Sequence, residues 1–246
     1  LDLRMSTMRV LVVGSCGKSK SKISPCRPQC KDLRSKDSLL IWQKRLSDQL
    51  TPAREMYTGH QNRELLRGID TLRRIPRLEV HLLILSAGFG ILSENELVPP
   101  YDCSFSKMKT ADIQKRAKTL GNSESFRTAN KIRYDLTYLA LGKKYLTALG
   151  DDYLSATRGT VVSFDRKAMH ERLVYVPSGS VSVRSFSSRG FKIHGVVGFK
   201  GDLLRILADH ALRNSDQHGE VVAWTDPSYL EELIYELGDL DPPVIN

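Results

Sequence analysis

The sequence predicts a single compact α/β domain whose mixed, mainly parallel β-sheet is flanked by helices. Short β-branched runs alternate with amphipathic segments of helical period, which is the order of βαβ units. The 246 residues are enough to bury a sizeable core. We see no internal repeat and no clear linker, so one domain is favoured over two.

Five apolar runs predict the strands of the sheet. The first, residues 8–14, is β-branched and ends at a glycine, as a buried strand often does. The second, V-H-L-L-I-L at residues 80–85, runs into a turn-forming segment of small residues. The later runs are residues 136–141, 160–164 and 173–176.

Apolar residues at helical spacing predict the intervening helices. These are residues 38–50, 62–75, 109–120, 127–135, 202–213 and 227–237. Thr51 followed by Pro52 is typical of an N-cap and first helical position, which predicts a short helix to Tyr57. Residues 178–189 are Ser-rich and basic, so we expect a loop there, and residues 220–224 predict a short strand.

The charge is unevenly distributed along the chain. The net charge is +9, yet residues 216–246 hold eight acidic residues and no Lys or Arg, so residues 1–215 carry +17. A body this basic indicates a polyanionic partner, and nucleic acid is the usual one. Solubility alone is the simpler explanation. We therefore describe a basic α/β domain, 1–215, with an acidic C-terminal strand-helix segment, 216–246, packed on it as a surface element, a mask or a partner contact.

The sequence favours a cytoplasmic protein with no membrane partner. No apolar run approaches the roughly 20 residues that cross a bilayer, and the first residues lack the features of a secretory signal. In a reduced cytosol the four cysteines, Cys16, Cys26, Cys30 and Cys103, are not expected to form disulfides. Cys26 and Cys30 have C-x3-C spacing, but no second pair and no histidine pair follow, so we expect no metal.

A glycine-rich segment, G-S-C-G-K-S at residues 14–19, follows the first strand. A nucleotide P-loop would need a glycine five residues before Gly17, where this chain has Val12. A Pro-rich segment follows in place of the helix that would hold phosphates. We therefore expect no nucleotide cofactor, although such a basic loop could bind a backbone phosphate or simply be solvated.

The most informative pattern has three parts: P-A-R-E-M-Y-T-G at residues 52–59, L-I-L-S-A-G-F-G-I-L at 83–92 and P-P-Y-D at 99–102. A strand that ends at small residues and a stiff Pro-Pro would bring Ser86, Tyr101 and Asp102 to one edge of the sheet. Open α/β sheets bind ligands at the carboxyl ends of their strands. The alternative is a set of tight turns with local side-chain hydrogen bonds.

In this order the three segments resemble the YaaA family of stress proteins, and still more an uncharacterised bacterial domain similar to it. That domain opens with a strand and a Cys-x-x-x-Lys loop, matched here by Cys16 and Lys20, and has a later L-A-x-G-x-x-Y element, matched at residues 139–145. The resemblance spans about residues 9–207. It implies DNA binding, protection against damage and a positively charged cleft, although the family's helix-hairpin-helix element is not evident here.

Together these observations predict a DNA glycosylase that excises a modified base, with anti-phage defence as one setting. Cleavage of an N-glycosidic bond builds positive charge on the sugar, which a nearby carboxylate stabilises. The carboxylate can also orient a water as general base. Asp102, with Tyr101 beside it, is the predicted catalytic residue, and no cofactor is expected.

The remaining candidates would hold a flipped base and its strand. Base-binding candidates offer an aromatic face or a hydrogen-bonding side chain, and they are Tyr57, His60, Ser86 and Phe89. Phosphate-binding candidates are basic residues of predicted loops, and they are Lys18, Lys20, Lys22, Arg184 and Arg189. Lys18 could instead attack the sugar as a Schiff-base amine.

Two other function classes stay open at this point. A non-enzymatic DNA-binding stress-response protein needs the basic surface but no pocket. A base-exchanging nucleic-acid transferase would need a free base as its second substrate. Fold-level analogy does not choose among the three.

Overall fold

A computed structural model of the chain describes residues 7–17, 19–22, 24–165 and 170–241. The strands are β1 Met8–Ser15, β2 Thr51–Pro52, β3 Leu78–Ser86, β4 Gly90–Ser93, β5 Leu97–Val98, β6 Leu136–Leu139, β7 Thr160–Ser163 and β8 Leu173–Tyr175. The helices up to β7 are α1 Lys36–Arg45, α2 Ala53–Met56, α3 His60–Leu72, α4 Thr110–Leu120, α5 Asn122–Ala129, α6 Lys143–Leu149 and α7 Tyr153–Ala156. The helices after β8 are α8 Ser180–Ser188, α9 Gly195–Arg213, α10 Gln217–Ala223 and α11 Pro227–Gly238.

Six strands form the central sheet, in the order β4–β3–β1–β6–β7–β8. Neighbours from β3 to β8 run parallel, and β4 is antiparallel at one edge. Residues 10–14 of β1 are fully buried, as expected for a parallel strand covered on both faces. The predicted α/β class with a mixed, mainly parallel sheet flanked by helices is therefore confirmed.

The order of the strands creates a switch point between β1 and β6. The chain steps from β1 to β3 on one side, then returns past β1 to β6, β7 and β8. Since crossovers are right-handed, this reversal places α3 on one face of the sheet and the helices α4 to α7 on the other. Loops that diverge at such a point leave a crevice, and this is where open sheets bind ligands.

Helices α3 and α9 pack against each other at very short range on one face. A Cβ on Gly201 would lie 2.2 Å from the Gln61 carbonyl oxygen. A Cβ on Gly68 would lie 2.9 Å from the backbone nitrogen of Arg205. Only glycine permits this approach of two backbones. The close packing fixes the start of α3, where Gln61 Nε2 donates hydrogen bonds to Ser15 Oγ (3.2 Å) and to the Ala140 carbonyl (3.0 Å).

Three local predictions differ from the structure in the part of the chain before the acidic segment. The expected helix at residues 127–135 is displaced, because α5 ends at Ala129. The short helix expected from Pro52 to Tyr57 is present as α2, but it begins one residue later, because Thr51–Pro52 is strand β2, paired with β5. The loop expected at residues 178–189 is the helix α8, which Phe186 anchors by its complete burial.

The acidic segment is helical from its start. The strand expected at residues 220–224 is wrong, because this stretch lies in α10 and the turn after it. Asp216 caps that helix by accepting the Gly219 N–H at 2.9 Å. Buried Trp224 and Ile234 join the segment to the core. Within the described part of the chain, no helix combines the length and apolarity needed to cross a membrane.

Candidate functional site

A buried hydroxyl network joins the three parts of the motif. The Tyr101 hydroxyl lies 2.8 Å from the Tyr57 hydroxyl and 2.7 Å from Ser86 Oγ. Tyr57 follows α2, Ser86 ends β3, and Tyr101 follows Pro-Pro. The structure therefore brings these three residues together at the carboxyl edge of the sheet.

The turn after β3 sets the direction of this network. Ser86 Oγ accepts the backbone N–H of Gly88 (3.1 Å) and of Phe89 (3.0 Å), which uses both lone pairs of the hydroxyl. Its proton must then be donated to the Tyr101 oxygen, and Tyr101 donates to Tyr57. Gly88 leaves room for this arrangement, because a Cβ there would lie 2.7 Å from the Tyr101 ring.

The tyrosines of the network are held in their neutral form. Burial raises the pKa of Tyr57 and of Tyr101 well above the ordinary value for a phenol. Phe89 packs its ring edge-on against Tyr101 at 5.1 Å between ring centres. Tyr101 is thus a fixed hydrogen-bonding group inside the protein, and its ring is not free to stack on a flipped base.

The Cys16 thiol lies between the ends of β1 and β3, beside this network. The Ala87 N–H donates to Cys16 Sγ at 3.2 Å. The Tyr145 hydroxyl, from α6, donates to the Cys16 carbonyl at 2.7 Å and lies 3.3 Å from the thiol. These contacts attach the loop after β1 to the far side of the switch point. The sequence did not predict that Tyr145 would contact this loop.

Lys20 extends over the network from the same loop. Its Nζ lies 4.5 Å from the centre of the Tyr101 ring and donates to the Gly17 carbonyl at 3.3 Å. Residue 20 also forms an isolated antiparallel bridge with Tyr57. Burial lowers the pKa of the Lys20 amine, while Cys16 and Asp102 oppose that shift.

Asp102 points away from the hydroxyl network. Its side chain is 64% exposed, and its carboxylate lies 3.8 Å from Arg27 Nη2. The Asp102 N–H donates to the Pro28 carbonyl at 2.8 Å, so the backbone is extended here and successive side chains point to opposite sides. Tyr101 therefore faces the core while Asp102 faces solvent.

The exposed side of Asp102 belongs to a surface cavity of about 550 Å³. Lys31, Lys107, Ser104 and Ser106 also line it. Among the described residues that line the cavity, Asp102 is the only carboxylate and the two lysines are the only cations. The arrangement can hold a phosphate group beside a carboxylate.

A disulfide bond forms one wall of this cavity. Cys30 and Cys103 are joined, whereas Cys16 and Cys26 are free. The expectation that the cysteines form no disulfide is therefore wrong. Cys30 is too far from Cys103 in sequence for spacing to reveal the pair, and only the parallel bridge between Gln29 and Asp102 brings them together.

The other candidate residues lie apart from the network. Lys22 is exposed, with its Nζ 3.5 Å from the Leu50 carbonyl. Lys18 lies outside the described residues. Arg184 lies on α8, and Arg189, just after that helix, lines a separate basic cavity of about 350 Å³.

His60 belongs to a second polar cluster, at the start of α3 and α9. Its ring stacks on His194 at 4.8 Å. Asp202, completely buried, accepts hydrogen bonds from the His194 N–H (2.8 Å) and Nδ1 (2.7 Å). The oxygens of Glu64 meet Arg67 at 2.7 Å and Arg205 at 2.8 Å.

The second cluster contains residue types that bind metal ions, but its carboxylate oxygens are already engaged by other groups of the protein. Atoms of Glu64, His194 and Asp202 lie within 4.8 Å of one another. Every one of the four carboxylate oxygens already has a cationic or N–H partner. A cation bound by a Glu64 oxygen would have to displace the arginine at that oxygen, so this arrangement is better suited to holding α3 and α9 together.

Sequence comparison adds one finding to this geometry. Residues 42–177, more than half of the chain, match the model of a family described as a family of unknown function (DUF6884). The matched segment includes Tyr57, Ser86, Tyr101 and Asp102 but not the Cys16 loop or α8. No curated protein matches the sequence, and the resemblance to YaaA stays a prediction.

Proposed function

The chain belongs to this family of unknown function (DUF6884), and we propose that it excises a modified base from DNA by cleaving the N-glycosidic bond. The observation that carries the proposal is the cavity at Asp102, which one carboxylate and two lysines line together. Ligand cavities commonly measure about 300–1,000 Å³. A cavity of about 550 Å³ therefore has room for one nucleotide unit.

The proposed reaction uses each charge in the cavity differently. Lys31 and Lys107 would bind the phosphates that flank the target nucleotide and position its sugar. The Asp102 carboxylate would stabilise the positive charge that develops on the sugar as the base leaves. The same carboxylate would orient the attacking water. Bound DNA would cover Asp102 and remove its solvent, which strengthens this electrostatic effect.

The buried network supports the reaction by fixing the Asp102 backbone. Tyr101 is held by hydrogen bonds to Tyr57 and Ser86, and the disulfide at Cys103 holds the other side of Asp102. The carboxylate is thus presented from a segment with little freedom, as catalytic geometry requires. In this proposal Tyr101 is a positioning residue and contacts no substrate.

The proposed substrate suggests a biological role and a cellular location for the reaction. Modified bases occur in phage genomes, so the proposal extends to a defence role and to a cytoplasmic location, where such DNA is met. In a reducing cytoplasm the Cys30–Cys103 bond would be open to reduction. The YaaA-like resemblance, with the DNA binding that it implies, supports the same partner.

A second candidate function is DNA binding without catalysis. The observation that favours it is the 64% exposure of the Asp102 side chain and its proximity to Arg27. A surface carboxylate that faces an arginine is a common structural pair of small energetic effect. The two functions differ in whether any base is released.

Base release is the measurement that tests the proposal. The protein is incubated with genomic DNA from bacteria and from phages that carry modified bases. Free bases are identified by mass spectrometry and abasic sites by alkaline cleavage. We expect Asp102→Asn to lower the release rate by about 10²-fold or more while DNA binding is kept.

Asp48→Asn is the matched control, because Asp48 is exposed and does not line the cavity. Its release rate should equal that of the wild type. DNA binding with no released base in any DNA would support the second candidate. Undiminished release by Asp102→Asn would remove Asp102 from the mechanism.

A further inference from the structure

We propose that Lys20 forms a Schiff base with the C1′ aldehyde of an abasic site, which gives the protein a second activity, cleavage of the DNA strand. The inference extends the proposed function, since an abasic site is the product of base release. It concerns a residue that the sequence pattern assigned only to phosphate binding. The pattern gave the Schiff-base role to Lys18, as an alternative.

The position of the Lys20 amine is the first observation. Its side chain lies across the Tyr101 ring, so the amine is held beside the residue that precedes Asp102. The bond to the Gly17 carbonyl fixes the amine from the other side. Lys20 does not itself line the cavity, so its amine would turn from the Tyr101 ring toward Asp102, which is among the charges that act on it.

The surroundings of the amine are the second observation. Lys20 is partly buried, and burial lowers its pKa because the charged form loses solvation. The groups that influence it most are Cys16, Asp102 and Arg27. A larger neutral fraction of the amine favours nucleophilic attack, as in other Schiff-base lysines.

The two lysines that line the cavity differ from Lys20 in burial. Lys31 and Lys107 are both exposed. Exposed ammonium groups suit phosphate binding, for which the positive charge is needed. The structure thus separates a partly buried amine suited to attack from exposed lysines suited to hold the strand.

The chemistry balances without a further reactant. The neutral Lys20 amine adds to the C1′ aldehyde, and loss of water with uptake of one proton from solvent leaves a protonated imine. The imine acidifies C2′, whose proton passes to water or to the Asp102 carboxylate. The C3′–O bond then breaks, the phosphate leaves with the electron pair, and hydrolysis of the imine frees Lys20.

Reductive trapping tests the inference directly. The probe is an oligonucleotide with a single abasic site, incubated with the protein and sodium borohydride. Hydride reduces the imine to a secondary amine, which gives a covalent protein–DNA product that peptide mass spectrometry can map. We expect the wild type to form it at Lys20, and Lys20→Ala and Lys20→Arg to form at least about tenfold less.

Lys44→Ala is the matched control, because Lys44 is an exposed lysine on α1 with no proposed part in binding or catalysis. It should form as much product as the wild type. Lys20→Arg keeps the positive charge, its melting temperature reports folding, and its trapping is compared with that of the wild type at equal occupancy of the abasic oligonucleotide. Undiminished trapping by Lys20→Arg, or a product mapped to other lysines, would overturn the inference.

The two proposals can fail separately. Base release from modified DNA without trapping on abasic DNA would keep the glycosylase and remove Lys20 as a nucleophile. Trapping at Lys20 without base release from any DNA would keep the lyase activity and remove the glycosylase. The substrate of the second assay contains no base at the reacting sugar, which is why the outcomes do not depend on each other.

Discussion

Two polar clusters lie within this fold and are built on opposite principles. The hydroxyl cluster, formed by Tyr57, Ser86 and Tyr101, is uncharged and is flanked by the Lys20 amine. The carboxylate cluster, formed by Glu64, Asp202 and their partners, sets two carboxylates against one histidine and two arginines. Both connect segments that are distant in sequence.

The two clusters differ in whether they leave a polar group available to a ligand. In the carboxylate cluster every carboxylate oxygen is matched within the protein, so the cluster is complete without a ligand. The hydroxyl cluster fixes a backbone whose next side chain, Asp102, is exposed beside a cavity. A balanced charge network is suited to holding helices, whereas a neutral network at a sheet edge is suited to presenting a reactive group.

The largest expected effect comes from breaking the carboxylate cluster. Asp202→Asn puts an amide donor where one of two buried oxygens accepts a hydrogen bond from His194, so that bond is lost and two donors face each other. We expect the free energy of unfolding to fall by about 3–5 kcal/mol. Denaturant unfolding measures it. The released base per folded molecule should stay the same, because this cluster has no part in the proposed chemistry.

Asp209→Asn is the matched control on the same helix. Asp209 is 37% exposed and lies 3.6 Å from Arg205, so its loss should cost about 0.5 kcal/mol or less. Equal effects of the two substitutions would show that the buried carboxylate does not hold the start of α9 in place. The structural role assigned to the carboxylate cluster would then be wrong.

The next largest effect on stability is expected from the disulfide bond beside the hydroxyl cluster. The Cys30–Cys103 bond closes a long loop beside Asp102, so Cys103→Ser should cost about 2–4 kcal/mol in oxidising buffer. Cys26→Ser, at an exposed free cysteine, should cost almost nothing. Denaturant unfolding with and without reductant measures both. A wild-type stability that does not respond to reductant would contradict the prediction.

Sequence patterns predicted the sheet well because its strands are buried on both faces. Continuous β-branched runs such as Met8–Ser15 and Thr160–Ser163 carry that signal locally. The Ser-rich segment of α8 carries none, and it is helical because Phe186 packs into the core. Residues 220–224 contain β-branched residues, yet the Trp224 indole donates to Glu220 one turn earlier at 3.1 Å, which favours helix.

The sequence predicted the proximity of site residues only for those that belong to the three-part pattern of residues 52–102. Ser86 and Tyr101 follow recognisable turn and Pro-Pro signals, so their meeting at the sheet edge could be anticipated. The opposite orientations of Tyr101 and Asp102 depend on the extended pairing with residues 28–29, which no local pattern reveals. Tyr145, Cys103 and Glu64 acquire their contacts across long separations, so these contacts could be found only in the structure.

The smallest expected effect comes from the hydroxyl cluster itself. Tyr101→Phe removes one hydroxyl and leaves the Ser86 proton without its acceptor, so we expect a loss of about 1–2 kcal/mol in unfolding free energy. Tyr134→Phe is the control, because its hydroxyl makes one contact, to His81 at 2.8 Å, and is only partly buried. It should cost less.

Base release separates the positioning role of Tyr101 from a catalytic one. If the hydroxyl only fixes the Asp102 backbone, Tyr101→Phe should slow release by less than about tenfold, far less than Asp102→Asn. A loss as large as that of Asp102→Asn would place the Tyr101 hydroxyl among the reacting groups. The neutral cluster would then be part of the chemistry, and the contrast with the carboxylate cluster would be one of function as well as of charge.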